Sequence, residues 1–280
     1  MPAMRTPARR TPAIAPRVRA VLLVIPALVI VGIAVVGPWI APHRVDEGVG
    51  IPYAPASSQA PAGTDHLGQD VWSHLLTGGW GLLLLATVIA LLVTFLAAVI
   101  GTIAAVRPAV GDAIERCTDL LMLVPPVLAI LLVMLSWPQS GAYGLVGIAV
   151  VIGTPYSARV FAAAAAGIAV SGYVEVAVAS GERLWYLVFR EVLPNLRHTV
   201  TTQLGLRFVE AMYLVSTAAF LQLPATLGRT NWAVMVRENG AGILLNPWAV
   251  VLPSIAIGVL AISVNLTIDA LLPDDRRMRT

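Results

Sequence analysis

The chain has 280 residues, of which 58% are hydrophobic and 12% charged, with a formal net charge of +3; an ordinary soluble domain carries roughly 25% charged residues. So much apolar surface exceeds what a soluble fold can bury, and it falls into long blocks almost free of charge, so lipid is the solvent for most of the chain. All 18 basic residues are arginine, which excludes a lysine-centred phosphate loop, and the single Cys117 excludes an internal disulfide and a multi-cysteine metal site.

An arginine-rich start over residues 1–19 precedes a first apolar block at about 20–41. It is too long for a signal core of about 7–15 residues and has no small-residue cleavage site, so it is expected to stay as a membrane anchor. A segment rich in Pro, Gly and Ser follows over 42–79, expected to be external. Further blocks run at about Trp80–Val106, Asp119–Trp137, Tyr143–Val170, Thr199–Leu223 and Pro247–Leu272, giving a five-helix core over 80–272 and a charged tail over 273–280. The expected fold is an all-α integral membrane protein with about six transmembrane helices. Pro26, Pro125, Pro126, Pro155 and Pro253 fall inside these blocks and predict kinks, tolerated where neighbouring helices re-satisfy freed carbonyls. Gly141, Gly144 and Gly147 recur every third residue, either as a close-approach face or as loose glycine usage.

Arginine placement sets orientation, because short cytoplasmic segments keep positive charge. With the N-terminus inside, the segments 1–19, 107–116, 171–198 and the tail after Leu272 hold thirteen arginines, against Arg44, Arg229 and Arg237 outside. Both termini are therefore expected in the cytoplasm of a multi-pass protein of the inner, or plasma, membrane. The arginines are dispersed at block ends rather than interleaved with aromatics, so the basic charge points to topology and not to nucleic acid.

The expected cytoplasmic segment 172–195 carries Glu175, Ala177, Gly181, Leu193 and Pro194 at the spacing E-x-A-x3-G-x11-L-P. Small residues (Ala177, Ala179, Ser180) would let a first short helix lie close to another protein, and Gly181 permits a turn. A second short helix would carry Leu184, Leu187, Val188 and Val192 as an apolar stripe, and Pro194 suits the first turn of the next helix. Any amphipathic loop could show such a stripe, so spacing alone leaves the role open.

This segment resembles the EAA motif of binding-protein-dependent ABC permeases. Gly63-Thr-Asp-His-Leu-Gly-Gln-Asp-Val-Trp-Ser-His-Leu-Leu-Thr-Gly78 is similar to the segment that precedes the second membrane helix in the dipeptide/oligopeptide permease family, with Gln69 and His74 in place of the usual arginines. Asp119-Leu-Leu-Met-Leu-Val-Pro125, Gly153-Thr-Pro-Tyr-Ser-Ala-Arg159, Asn246-Pro-Trp248 and Asn265-Leu-Thr-Ile-Asp269 are similar to further family signatures in the same order. Departures are Val176 within the Glu-Ala-Ala triplet, Glu191, Phe220-Leu-Gln-Leu-Pro224, and Arg207, Glu210 and Val215 on the fifth helix.

The resemblance implies a C-type permease subunit with the type I ABC importer (MetI-like) fold. Its implied partners are a homologous B-type permease half, two ATP-binding subunits that carry ATP and Mg, and an external substrate-binding protein. Glu175, Ala177, Gly181, Glu182, Leu193 and Pro194 would couple to the ATPases; no catalytic, cofactor or metal site is expected on this chain. Related systems move dipeptides, longer peptides, nickel chelates or haem. A secondary transporter acting without an ATPase, and an intramembrane hydrolase, are the alternatives from other classes.

Arg207 lies 13 residues after Pro194, roughly 20 Å along a helix and so beyond the middle of the bilayer. Glu210 shares its face at i+3, so the two form an intrahelical ion pair or line the translocation path and meet a charged or zwitterionic substrate. Arg159 can snorkel and is expected to be structural. Asp119 and Asp269 sit near helix ends as solvated groups rather than a catalytic pair. His43, His66 and His74 lack regular ligand spacing.

Overall fold

A computed structural model describes residues 16–221, 223 and 230–271, with side chains for 24–107, 109–221, 223 and 230–267. Its helices are α1 (Pro16–Ile40), α2 (Val71–Val106), α3 (Pro108–Met122), α4 (Pro126–Ser136), α5 (Gly141–Ala169), α6 (Gly172–Ala179), the single turn α7 (Leu184–Tyr186), α8 (Arg197–Phe220), α9 (Trp232–Asn239) and α10 (Trp248–Leu271). No strand occurs among the described residues; two isolated bridges, Gly48 with Gln69 and Thr64 with Asp70, pin the turns of the 41–70 segment. The all-helical expectation holds.

Among the described residues three helices are long and apolar enough to cross a membrane: Val71–Val106, Pro138–Ala169 and Trp248–Thr267. A fourth crossing is available if the pair Ala109–Met122 and Pro126–Ser136, bent by 82°, is counted as one span. Val24–Ile40 is a shorter apolar stretch. The 24 residues of α8 are long enough to cross, but Arg207, Glu210 and the polar run Arg197–Gln203 dilute its apolar character. Six crossings are compatible with these elements.

Two boundaries differ from the sequence expectation. The third apolar block is not one span: the chain breaks at Leu123–Pro125, because Pro125 and Pro126 remove backbone donors and clash with the preceding turn. Pro126 instead opens α4, where a missing N–H costs nothing. The second helix also starts nine residues earlier than Trp80, since the Asp70 carboxylate accepts from the N–H groups of Trp72 and Ser73 and from the Ser73 hydroxyl (2.7 Å). At 36 residues, about 54 Å, α2 exceeds the hydrocarbon thickness, so its ends project beyond it.

Between lipid-solvated helices there is little hydrophobic drive to associate, so packing depends on close approach of small residues. The α2–α5 contact is the most extensive in the fold, and it is built that way. Ala149, Gly153, Ser157 and Ala158 on α5 are buried against α2, where Ala97, Ala98 and Gly101 are buried in turn. Gly101 rests on the Ala158 carbonyl and the Phe161 side chain, leaving no space for a Cβ. Gly153 faces Val93 while Gly101 faces Ala158, so α2 and α5 run parallel, as two helices separated by one return crossing must. Of the glycines at the start of α5, Gly144 lies against Ser140 and the Met134 side chain of α4, whereas Gly147 has open space around it.

The elements sort into two ends. At one, the 41–70 segment meets α9 and the start of α10: the Asn246 amide donates to the carbonyls of Ala62 (3.0 Å) and Thr64 (2.9 Å), and Asn239 accepts from the His66 N–H (2.9 Å). The Trp232 indole donates to the Leu75 carbonyl (2.8 Å). At the other, Ala104, Ile114, Phe161, Ala165, Val174, Val192 and Leu196 form one buried cluster that seats α6–α7 on the ends of α2, α3 and α5. Arg107, Arg116, Arg183, Arg190 and Arg197 belong to this second, basic end, and Arg44 and Arg237 to the first.

Candidate functional site: a projecting hairpin and a charged cleft

At the basic end, α6 closes with a Schellman turn. Gly181, at φ +78°, donates to the Val178 carbonyl (3.0 Å), and Glu182 donates to that of Ala177 (3.1 Å), which satisfies two orphan carbonyls of the helix end. No atom lies within 4 Å of a Cβ built at Gly181, so the turn needs glycine for its backbone conformation and not for space. Beyond it, α7 widens into a π-helical turn, Leu187–Val192, and tightens into a 3₁₀ turn, Leu193–Leu196, that feeds α8 without interruption. Such irregular turns store local adjustability and recur at functional sites.

The expected apolar stripe has two fates. Leu187, Val188 and Val192 are buried, and Leu184 partly so, anchoring the hairpin to the helix ends. The opposite face is apolar and uncovered: Val176 is 65% exposed, Val178 52% and Trp185 60%, the last with its ring stacked on Phe189 (centroids 5.5 Å apart). Glu175, Glu182 and Pro194 are exposed beside this face, whereas Ala177 and Leu193 are half-buried. An exposed apolar surface rimmed by charge is what a protein interface requires. Trp185, Phe189 and Val178 were not singled out from the sequence as contact residues. For Trp185 and Phe189 the signal was the side of the second short helix left over once Leu187, Val188 and Val192 had been assigned to the buried stripe; Val178, on the first short helix, carried no such signal.

The break between α3 and α4, the Pro155 region of α5 and α8 line an open cleft of about 280 Å³. Arg207 and Glu210 both line it and are ion-paired with each other. Tyr156 places its ring 5.4 Å from the Arg207 guanidinium carbon, within cation–π range. The guanidinium side chain is only 12% exposed, the Glu210 side chain 39%. The intrahelical ion pair expected as one sequence alternative is present, and both partners face this cleft.

Arg159 does not snorkel alone: its Nη1 reaches Asp119 Oδ1 at 3.2 Å, joining α5 to α3. Asp269 lies in the last turns of α10, its side chain outside the described residues. Of the histidines in and beside the 41–70 segment, His43 lies against Asp70 (3.4 Å), while Asp65 stands between His66 (4.0 Å) and His74 (3.6 Å), the latter also reaching the Val45 carbonyl (2.8 Å). His66 stands 3.9 Å from Glu238. Among the described residues no group of three His, Cys, Asp or Glu could hold a metal ion. Pro224 and Arg229 fall outside the described residues.

A bundle of apolar helices, three of the described ones long enough to cross a membrane, defines a multi-pass membrane protein. The family of binding-protein-dependent transport system inner membrane components matches residues 97–277, and the chain belongs to it. A Brucella suis protein provisionally named a peptide transport system permease is 28% identical over 250 residues, covering 87% of this chain and 82% of its own length. The peptide transport system permease SapC of Escherichia coli is 28% identical over 244 residues, covering 84% and 81% respectively. A Brucella abortus protein, provisionally named a peptide permease, is 29% identical over 235 residues, covering 79% and 78%.

Proposed function

We propose that this chain is one permease half of an ATP-driven importer for peptides, with its basic end in the cytoplasm. The observation that carries this is the uncovered apolar face of the α6–α7 hairpin, including Val176, Val178 and Trp185, fixed to the helix ends by Leu187, Val188 and Val192. A separate ATPase docks on that face, and the buried half of the hairpin passes its movement to α2, α5 and α8. ATP and Mg are bound by that partner, not by this lysine-free chain. A second, homologous permease half completes the pathway, and an external binding protein delivers cargo to the end formed by the 41–70 segment, α9 and the start of α10. Peptide cargo is supported by the names of the Brucella and Escherichia relatives.

The first alternative, a secondary transporter working alone, would have no use for a docking face. Deleting 172–195 is a poor test, because it also removes the buried Val174, Leu187 and Val192. Charge placed on the uncovered face is cleaner: Val176→Asp or Trp185→Asp should leave membrane abundance unchanged, release the ATPase on purification and abolish ATP-driven uptake. Undiminished uptake by either variant would refute the assignment.

A further inference from the structure

Arg207 and Glu210 pair on the wall of the cleft, in a part of the chain where an isolated charge is expensive. Each neutralises the other, so the empty cleft carries no net charge from them. The arrangement is incomplete in one respect. The Arg207 Nε is buried and has no hydrogen-bond partner among the described residues, although a guanidinium presents its donors as a planar fork. A buried donor left unsatisfied is costly, and a turn of the side chain away from Glu210 would bring Nε out of the wall, where a second carboxylate can be received by Nε and an Nη together. The Tyr156 ring lies 5.4 Å from the guanidinium carbon on the same cleft wall.

If a carboxylate replaces Glu210 on Arg207, Glu210 is left as an uncompensated anion, and the half-exposed position of its side chain lets it turn to a cation in the cleft. An anion alone or a cation alone would leave one buried charge unpaired. A zwitterion satisfies both. We infer that this pair is a substrate subsite working by partner exchange: the free carboxylate of a short peptide takes Arg207, its free ammonium takes Glu210, and the internal ion pair re-forms as the peptide leaves. This rests on the permease assignment above.

The test uses the purified complex of both permease halves and both ATPases, without the binding protein, and L-alanyl-L-alanine as probe. The peptide should bind the wild-type complex and compete poorly when its amine is acetylated or its carboxyl amidated. Arg207→Gln and Glu210→Gln should each weaken binding about tenfold or more, the loss expected for a charge-assisted hydrogen bond. The charge-exchanged double variant, Arg207→Glu with Glu210→Arg, should restore thermal stability but not peptide binding, because substrate orientation is lost. Absence of wild-type binding, equal binding of the capped peptides, or full rescue by the exchange would overturn the inference. ATP-driven uptake that continues at the wild-type rate in both Gln variants would sink this subsite alone, whereas a complex with no ATP-driven uptake of any peptide would sink the permease assignment itself.

Discussion

Arg159 on α5 and Asp119 on α3 form an ion pair across two helices, Nη1 to Oδ1 at 3.2 Å, while their side chains stay 46% and 67% exposed in the isolated chain. A charge pair so open cannot face acyl chains cheaply, so this surface turns to water or to another subunit. Thr118 and Tyr156, its near neighbours in sequence, line the cleft that holds Arg207. Loss of either partner should lower uptake, and exchanging them (Asp119→Arg with Arg159→Asp) should restore part of it. The pair itself should contribute no more than about 1 kcal/mol to thermal stability, the range for exposed ion pairs. A double-mutant cycle on uptake and on unfolding separates the two effects.

Gly181→Ala tests the hairpin turn. The residue sits at φ +78° with free space around it, so the substitution introduces backbone strain and no clash. The expected cost is about 1 kcal/mol, confined to the α6 end. Coupling should suffer more than folding: ATP hydrolysis per peptide transported rises while the melting temperature of the complex barely changes.

Asn246→Ala should destabilise the opposite end. Its amide is the donor to the carbonyls of both Ala62 and Thr64, and both bonds are buried. Leaving such carbonyls unpaired costs about 2 kcal/mol, visible as a lower unfolding temperature and faster proteolysis of the 41–70 segment.

Gly101→Leu should block the α2–α5 seam, since any side chain there meets the Ala158 carbonyl and Phe161. Overpacking of this kind costs about 1–3 kcal/mol and should reduce the amount of folded protein recovered from membranes. Gly147→Leu, in open space, should be tolerated.

Much of this architecture was legible because bilayer physics leaves few choices. Long uncharged blocks become helices, and the crowding of arginine at alternate segments matches the end that carries Arg107, Arg183 and Arg197. The hairpin was legible because Gly181 has one conformational reason to be there and Leu187, Val188 and Val192 keep a helical spacing. What escaped was set by packing and not by composition. Pro125 and Pro126 announce a kink, yet only the surrounding helices decide that it becomes an 82° bend. The spacing of Gly141, Gly144 and Gly147 allowed either close approach or loose glycine usage, and the α2–α5 seam runs instead through Ala149, Gly153 and Ser157 at a four-residue spacing that the alanine-rich composition conceals. Asp119 and Arg159 lie 40 positions apart, and no local pattern joins them. The pairing of Arg207 with Glu210 was visible from their spacing, but the cleft they line depends on the break in another helix.

The account depends most on the side of the membrane, and the cover, of the α6–α7 face. With Cys117 replaced by Ser, a cysteine at the exposed Val176 position can be labelled with a membrane-impermeant maleimide in right-side-out and inverted vesicles, with the ATPase present or stripped away. Labelling only in inverted vesicles, and only after the ATPase is removed, is the predicted result; labelling from the outside, or labelling indifferent to the ATPase, would contradict it.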